Sequence, residues 1–286
     1  MMSDSLTIFA PAKLNLFLHI TGRRDDGYHL LQTVFQLLDY GDNLTLSRRE
    51  DEQVCRLTDL EGVPAEEDLV VKAAHLLQQQ CRSHQNVPLG VDISVDKVLP
   101  MGGGLGGGSS NAASVLVGLN QLWQCGLSQQ ALMHLGVQLG ADVPVFIFGQ
   151  SAWAEGVGER LEPVELPEKW FLVLKPPINV STAKVFSNSQ LRRDCPAITI
   201  RDFLAGQTEN VCEQPVREMY PEVDQALTDL AQFGEARLTG TGACVYVSFD
   251  SEAAAQNAFK ALSAKWAGFI AKGMNQAPLK EFFPRN

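Results

Sequence analysis

Short apolar segments that partly alternate with polar residues dominate the first part of the chain. A period of two is typical of β-strands that bury one face. A helix is predicted over residues 69–81, and a strand over residues 91–98. The strands predicted before this helix are Leu6–Phe9, Lys13–Ile20, Thr33–Leu38 and Leu44–Arg48.

Glycine interrupts this pattern between Pro100 and Ala113, where six residues are glycine. A segment that suits a helix follows at once. Serine is a favoured N-cap residue, so the serines at the end of the glycine run indicate where this helix begins. Two helices are predicted here, Asn111–Trp123 with Ser109 or Ser110 as the N-cap, and Gln129–Leu139 between an N-cap at Ser128 and a stop at Gly140.

The pattern changes after about residue 155, where strands and helices follow one another in the order β-α-β-β-α-β. This order indicates a second, smaller α/β layer. We therefore predict a domain boundary near residues 155–165, with domains at 1–158 and 159–286. The predicted elements are Trp170–Leu174 (strand), Thr182–Leu191 and Pro215–Phe233 (helices), Ala236–Thr239 and Val245–Phe249 (strands), Glu252–Lys265 (helix) and Gly268–Ala271 (strand).

Composition and charge exclude several classes of protein. The 286 residues carry 33 acidic and 23 basic side chains, a formal net charge of −10, which argues against a protein that coats nucleic acid. No apolar run approaches the roughly 18–20 residues that span a bilayer. The six cysteines are scattered without a CxxC pair, so we expect reduced thiols in a cytoplasmic protein. The five histidines form no zinc motif.

The glycine run has two interpretations, a flexible turn or an anion site at a helix N-terminus. Glycines let the backbone approach phosphate oxygens, and the helix start offers unpaired N–H groups. No acid occurs from Lys97 to Ala141, which suits a bound polyanion, although a buried helix pair without acids accounts for part of this gap. The run lacks the lysine of a Walker A loop, and it is a poor match to the dinucleotide-binding fingerprint.

Three segments in the same order resemble the motifs of the GHMP kinases. They are Pro11-Ala-Lys-Leu-Asn-Leu16, the glycine run from Pro100 to Ala113, and Leu238-Thr-Gly-Thr-Gly-Ala-Cys244. The resemblance implies an α+β fold with two domains, an N-terminal α/β domain like ribosomal protein S5 and a C-terminal ferredoxin-like α/β domain. It also implies a kinase that uses ATP and Mg²⁺.

Further segments narrow the resemblance within the family. Thr21–His29, the doubled glycine triplet and Gly140-Ala-Asp-Val-Pro144 are similar to members that phosphorylate a cytidine diphosphate sugar alcohol in isoprenoid precursor synthesis. The alternatives are another small-molecule kinase of the family, of the mevalonate or homoserine type, or a non-catalytic nucleotide-binding protein on the same fold. We expect a monomer or a weak homodimer without membrane or nucleic-acid partners.

Asp142 and Lys13 are the candidate catalytic residues. Asp142 is the first acid after the acid-free stretch, and its alternative role is to cap a short helix at Pro144. Lys13 lies in a predicted strand, where an exposed edge lysine is the alternative. The resemblance makes Asp142 the catalytic aspartate and Lys13 the lysine beside it, which would keep the carboxylate ionised and offset charge on the moving phosphoryl group.

The resemblance also assigns binding residues. Asn15 would lie near the substrate hydroxyls, and Tyr28, His29 and Phe186 would border the cytosine, because two rings can sandwich a base. Asp68 departs from the asparagine frequent in relatives, so it is not assigned to adenine. The remaining candidates are Thr182, Gly240, Thr241 and Gly242 for substrate, and Lys97, Pro100, Met101, Gly102, Gly103, Gly104, Leu105, Gly106, Gly107, Gly108, Ser109 and Ser110 for ATP.

Overall fold

The computed structural model describes residues 4–25, 27, 29–82, 88–206 and 208–283. Within these ranges ten strands and nine α-helices form an α+β fold, as the sequence predicts. The strands are β1 (Ser5–Arg23), β2 (His29–Arg49), β3 (Val54–Arg56), β4 (Gly90–Asp96), β5 (Ala152–Gly156), β6 (Arg160–Pro163), β7 (Trp170–Lys175), β8 (Arg237–Leu238), β9 (Val245–Phe249) and β10 (Ala267–Met274). The helices are α1 (Leu69–Cys81), α2 (Gly107–Leu122), α3 (Gln129–Leu139), α4 (Val143–Phe148), α5 (Thr182–Ser187), α6 (Ile200–Leu204), α7 (Glu213–Met219), α8 (Pro221–Leu230) and α9 (Glu252–Leu262), with 3₁₀ helices at Ala65–Glu67 and Pro278–Phe282.

The long strand β2 organises the sheet. It pairs antiparallel with β1 along most of its length, and also with β4, β5 and β10. The main strand order is β3-β4-β2-β10-β7-β9-β8, so one sheet runs through both halves of the chain. The strands of the second half therefore continue the sheet of the first half at β10, and the proposed division at residue 158 stays a prediction.

The first four predicted strands are merged into two. β1 and β2 continue through 10–12 and 39–43, where the apolar pattern is interrupted, because β1 accommodates the irregularity in a bulge between Pro11 and Lys13. A Cβ atom on Gly41 would lie 2.2 Å from the carbonyl oxygen of Ala10, so only glycine fits opposite this bulge. The bulge interrupts the regular pairing of β1 directly before Lys13.

Two predicted helices, Leu69–Cys81 and Gln129–Leu139, are confirmed, the second with Ser128 as N-cap. The prediction for α2 is wrong at its start, because the helix begins at Gly107 with Gly106 as N-cap instead of Ser109 or Ser110. Gly106 has a left-handed backbone and no side-chain cap, so the serine signal does not mark the first residue of the helix.

The strand predicted over residues 91–98 spans Gly90–Asp96, and further deviations lie in the second half. Residues 215–233 form two helices instead of one, because Pro221 begins α8 and Tyr220 between the helices is not helical. The helix predicted from Thr182 ends at Ser187, four residues early. The closing strand is longer than predicted, since it extends to Met274 and pairs with both β7 and β2.

The cysteines also differ from expectation. Cys81 and Cys125 form a disulfide between the ends of α1 and α2, whereas the sequence predicts reduced thiols. The two residues are 44 positions apart, and only the packing of α1 against α2 brings them together. Burial raises the pKa of the Cys212 and Cys244 thiols to about 12, so these remain protonated.

Apolar side chains from both halves meet under the glycine run. A buried cluster there combines side chains of β1, the glycine run, β7, β9 and β10. Larger clusters lie to either side, one among α1, α2 and α4, the other among the helices of the second half. In the described part of the chain, no helix has the length and apolar character needed to cross a membrane.

Candidate active site

Three oxygen atoms surround the ammonium group of Lys13. The lysine is 3% exposed, and its Nζ donates to Asn15 Oδ1 at 2.6 Å and to the carbonyl oxygen of Gly104 at 3.0 Å. Asp142 Oδ2 lies 3.3 Å from the same Nζ, and the Phe35 ring lies beneath it at 5.5 Å. An ammonium group has three N–H donors, and here each has an oxygen within reach. The ammonium group is therefore held in place by these oxygens before any ligand binds.

Asp142 precedes α4 but does not cap it. The residue takes the N-cap position without accepting a side-chain hydrogen bond from the helix. Its side chain is 33% exposed and faces a cavity. The capping role considered from the sequence is thus not formed, and the carboxylate is available to a ligand beside Lys13.

Asn15 connects the first motif to the rest of the site. Its Nδ2 donates to Thr33 Oγ1 at 2.9 Å, which leaves Oδ1 for the lysine. Its backbone N–H donates to Thr239 Oγ1 at 3.1 Å, and its carbonyl oxygen accepts from the Tyr246 hydroxyl at 3.0 Å. Burial raises the pKa of Tyr246 above its usual range, so that hydroxyl stays protonated and keeps donating.

Three alternate glycines of the run adopt a left-handed backbone. Gly102, Gly104 and Gly106 have φ values of 67°, 74° and 72°. A Cβ atom on Gly104 would lie 2.3 Å from the Thr239 carbonyl oxygen, and one on Gly106 would lie 2.8 Å from the Phe146 ring. Both the backbone conformation and the neighbours therefore require glycine.

The first turn of α2 supplies unpaired N–H groups. The amides of Gly107, Gly108 and Ser109 have no preceding turn to bond within the helix. The Ser110 N–H donates to the Gly106 carbonyl oxygen at 2.8 Å, and its hydroxyl is buried without a partner among the described residues. The Ser110 N–H is therefore engaged within the helix, because α2 starts earlier than predicted, and the place of Ser110 among the ATP contacts stays a prediction.

Two cavities meet at the glycine run. One, of about 350 Å³, is lined by residues 100–109 together with Leu60, Val63, Glu67, Asp68, Leu69, Lys97 and Asn111. The other, of about 260 Å³, is lined by Lys13, Asn15, Leu18, Leu31, Thr33, Phe35, Ala141, Asp142, Val157, Gly158, Thr182, Phe186, Gly240 and Thr241. Gly104 and Ser109 line both cavities. The two cavities therefore adjoin at Gly104 and Ser109, and the second of them is the one lined by Lys13 and Asp142.

Lys97 is held by a fully buried acid, Asp42, that no sequence motif indicates. Its Nζ lies 2.7 Å from Asp42 Oδ2 and 2.8 Å from the carbonyl oxygen of Leu99. Asp42 also accepts from the N–H groups of Val98 and Leu99 and from the side-chain amide of Asn111. Four donors compensate the buried carboxylate. Asp42 thus joins the start of the glycine run to α2.

Asp68 has a structural role at the rim of the first cavity. Its side chain caps α1 by accepting from the Val70 N–H, and it forms an ion pair with Arg56 at 2.9 Å. Both charged side chains are nearly buried. These bonds occupy the carboxylate, and the expectation that Asp68 does not contact adenine stays a prediction.

His29 stacks on Phe186, with ring centroids 5.0 Å apart and planes at 24°. Burial, and then the positive charges of Arg193 and Arg23, lower the pKa of His29. Its Nε2 is buried without a partner among the described residues. Phe186 lines the second cavity, and the His29 ring lies behind it in the stack without lining the cavity itself. Tyr28, the other predicted stacking residue, lies outside the described residues.

The third motif forms one wall of the second cavity. The hydroxyls of Thr182 and Thr241 lie 2.9 Å apart, and both residues line the cavity with Gly240. Gly242 has a φ of 86°, and its N–H donates to the Thr239 carbonyl oxygen at 2.9 Å. Gly242 thus shapes the loop and does not line the cavity.

Thr33, Asp42 and Thr239 are site residues that sequence reasoning missed. Each makes its contacts through distant parts of the chain, so spacing along the sequence carries no signal for Thr33 or Asp42. Thr239 lies within the third motif, and that position was the one available signal.

The fold and this site define a class of protein. Residues 68–150 match the family description "GHMP kinases N terminal domain", and residues 194–268 match "GHMP kinases C terminal". The chain belongs to the GHMP kinase family, as the sequence motifs predict. It is accordingly a phosphotransferase that uses ATP and acts on the alcohol group of a small molecule.

Individual relatives show to which kinds of GHMP kinase the chain is similar. The chain is 54% identical over 270 residues to 4-diphosphocytidyl-2-C-methyl-D-erythritol kinase of Nitrosococcus oceani, covering 94% of this chain and 95% of that protein. It is similar to a crystal structure of 4-(cytidine 5'-diphospho)-2C-methyl-D-erythritol kinase, with a TM-score of 0.80 and 30% identity over 94% of this chain and 99% of that one. A homoserine kinase from Cytophaga hutchinsonii shares the fold, with a TM-score of 0.69 and 17% identity over 97% and 96% of the two chains.

Proposed function

We propose that this enzyme transfers the γ-phosphoryl group of ATP to the 2-hydroxyl of 4-diphosphocytidyl-2-C-methyl-D-erythritol, giving the 2-phosphate and ADP. The observation that carries this proposal is the Lys13–Asp142 pair at the junction of two cavities. The glycine run borders one cavity, and the aromatic ring of Phe186 is part of the lining of the other. The 54% identity to the Nitrosococcus oceani kinase supports the substrate.

Asp142 accepts the proton of the attacking hydroxyl. Its carboxylate faces the second cavity, makes no capping bond, and has one oxygen 3.3 Å from Lys13 Nζ. A carboxylate within reach of a hydroxyl can act as its general base, and the adjacent ammonium group offsets the negative charge there. An acceptor hydroxyl in the cavity is thus activated where the two cavities meet.

Lys13 orients the reaction and balances charge. Asn15 and the Gly104 carbonyl fix its Nζ at the boundary between the cavities. Phosphoryl transfer depends mainly on positioning and on stabilising the charge of the phosphoryl group as it moves. A preorganised ammonium group at this boundary provides both without rearrangement.

The Phe186 side of the second cavity suits a pyrimidine. Phe186 offers an aromatic face to the cavity, and His29 stacks on Phe186 with a buried Nε2 that has no partner among the described residues and would bond to the base edge once the base displaces its cover. Tyr28 remains a predicted stacking partner. Mevalonate and homoserine contain no base, so this aromatic end favours the cytidine substrate over those alternatives.

Mg²⁺ would accompany ATP and neutralise charge on the phosphates. Among the described residues no three or more His, Cys, Asp or Glu side chains converge as a metal site. Oxygens of the phosphates and water would therefore be the main ligands, and Ser109, which lines both cavities, and Asp142, which lines the second, could add side-chain oxygens. Use of ATP supports a cytoplasmic location, and a site built within one chain supports a monomer or weak homodimer.

The test is an assay of ADP release from Mg-ATP with 4-diphosphocytidyl-2-C-methyl-D-erythritol. We expect D142N to lower kcat by about 10²–10⁴-fold, as for loss of a general base, and K13A to lower it comparably. The matched controls are D250N, since Asp250 is 88% exposed, and K72A on the solvent face of α1. Both controls should keep wild-type turnover.

Each part of the proposal has its own contrary result. Near-wild-type turnover of D142N and K13A would overturn the assigned roles. Turnover of mevalonate or homoserine, with none on the cytidine substrate and no inhibition by cytidine diphosphate, would overturn the substrate. ATP binding without turnover of any of these alcohols would indicate a non-catalytic nucleotide-binding protein.

A further inference from the structure

The side-chain amide of Asn210 lies under the third-motif loop, residues 238–242. Its Nδ2 donates to two carbonyl oxygens of this loop, those of Leu238 and Gly240, both at 2.9 Å. Its Oδ1 accepts from the backbone N–H of Cys212 at 2.9 Å. Asn210 is 7% exposed, so these bonds are shielded from water. Both ends of the amide group are therefore used to join two separate segments.

The backbone around Asn210 is attached to the strand that carries Lys13. The Leu18 N–H donates to the Glu209 carbonyl at 3.0 Å, and the Val211 N–H donates to the Leu18 carbonyl at 2.9 Å. These bonds form a short parallel bridge between Leu18 and Asn210. Leu18 itself lines the second cavity. The amide is thus held at a fixed position relative to β1.

The two carbonyls that Asn210 holds are those on either side of Thr239. The Thr239 hydroxyl accepts from the Asn15 N–H at 3.1 Å and donates to the Gly104 carbonyl at 3.3 Å. That same Gly104 carbonyl accepts from Lys13 Nζ. One threonine hydroxyl thereby connects all three motifs at the lysine, and its position depends on the loop.

We propose that Asn210 is a positioning residue for phosphoryl transfer, which holds the third-motif loop so that Thr239 fixes the Gly104 carbonyl and Lys13 at the boundary of the two cavities. Asn210 lies outside all three motif segments of the chain. The kinetic test of this role rests on the proposed function, whereas hydrogen exchange tests the role independently of the substrate.

The primary test replaces the amide by an isosteric acid. N210D keeps an acceptor for the Cys212 N–H and removes both donors to the loop. We expect kcat to fall about tenfold to a hundredfold, the size expected for two neutral hydrogen bonds. KM for the acceptor alcohol should rise more than KM for ATP, because Gly240 and Thr241 line the acceptor cavity alone, whereas Gly104 is the one affected residue that also lines the first cavity.

The matched control is N120D. Asn120 makes the same kind of clamp at the other end of α2, with Nδ2 donating to the Leu127 carbonyl and Oδ1 accepting from the Leu127 N–H, both at 3.0 Å. It lies roughly 16 Å along α2 from Ser109. N120D should lower thermal stability and leave both KM values and kcat unchanged. If N210D does not fold, N210A removes the same donors and serves in its place.

A double-mutant cycle separates positioning from general destabilisation. If Asn210 acts through Thr239, the loss of kcat in N210D should nearly vanish in a T239V background. Fully additive losses, or kcat within about twofold of wild type in a folded N210D or N210A, would overturn the proposal.

Hydrogen exchange gives a readout that does not require the correct substrate. Backbone amides in residues 238–244 should exchange at least about tenfold faster in N210D than in wild type, and at the wild-type rate in N120D. Unchanged exchange in N210D would overturn the proposal even if the enzyme acts on another alcohol. Faster exchange in a protein inactive on the cytidine substrate would overturn the proposed function and leave the role of Asn210 supported.

Discussion

At the scale of single residues, the protonation state of His29 illustrates how neighbours set chemistry. Burial and nearby arginines lower the pKa of its imidazole, so the ring is neutral at physiological pH. Arg193 contributes in a second way, because its guanidinium donates to the carbonyls of Phe186, Asn188 and Leu191 at 2.8–3.0 Å. The same side chain thus orders the end of α5 and places Phe186 against His29.

This arrangement predicts the titration of His29. Its imidazole should titrate below the ordinary value of 6.5, and R193Q should raise that pKa because a positive charge is removed while burial persists. NMR detection of the imidazole protons as a function of pH measures both values. R82Q, at the exposed end of α1, should leave the pKa of His29 unchanged, and an unchanged pKa in R193Q would contradict the prediction.

At the scale of elements, the glycine run and the third-motif loop pack backbone against backbone. The N–H groups of Ala243 and Cys244 donate to the carbonyls of Gly102 and Gly103 at 3.3 and 3.1 Å. Gly104 then approaches the Thr239 carbonyl so closely that no side chain fits between them. The glycines therefore serve loop packing as well as phosphate access, a requirement that the sequence alone does not separate.

Two alanine substitutions test which glycines of the run are required by loop packing. G104A should lower the free energy of unfolding by about 2 kcal/mol or more, because its φ is 74° and its Cβ would meet backbone. G108A should not destabilise the fold, because its φ is helical, its Cβ would lie 3.6 Å from Leu69 Cδ1, and alanine favours helix. Urea denaturation measures both, and equal stability of the two variants would contradict the prediction.

At the scale of the whole molecule, the end of the described chain returns to the first half. After β10, the residues Ala277, Leu279 and Phe283 are buried in the cluster formed with α1, α2 and α4. The Gly149–Ala277 and Ser151–Asn275 backbone bonds hold this segment beside α4 and β5. The two halves are thus joined by the sheet, by the central cluster and by this returning segment.

Truncation of one side chain tests the contribution of the returning segment. Leu279 is 1% exposed, so L279A should lower the free energy of unfolding by about 2–5 kcal/mol. L57A is the matched control, since Leu57 is 63% exposed and its loss should change stability by less than about 0.5 kcal/mol. Urea unfolding followed by circular dichroism measures both, and similar midpoints would show that the segment contributes little.

Local sequence signals predicted the elements whose limits are set within the element itself. Helices α1 and α3 have the predicted bounds, because a side-chain cap and apolar pattern act over a few residues. The start of α2 was misplaced because the helix begins after a left-handed glycine without any side-chain cap, so the serines do not mark its first residue. β1 and β2 were each predicted as two strands, because the apolar pattern is interrupted within them. Pairing between the two strands keeps both continuous past the bulge in β1, and the sequence does not show this pairing.

The sequence by itself determined the class of protein, because its three motifs and the acid-free stretch ending at Asp142 are each contiguous in the chain. Only the tertiary structure decided that Lys13, Asn15, Gly104, Asp142 and Thr239 share one junction between two cavities. It also revealed Asp42 and Asn210, whose contacts span 56 and 28 residues along the chain. The physical reason is that hydrogen bonds and close packing depend on distance in space, which spacing along a sequence does not encode.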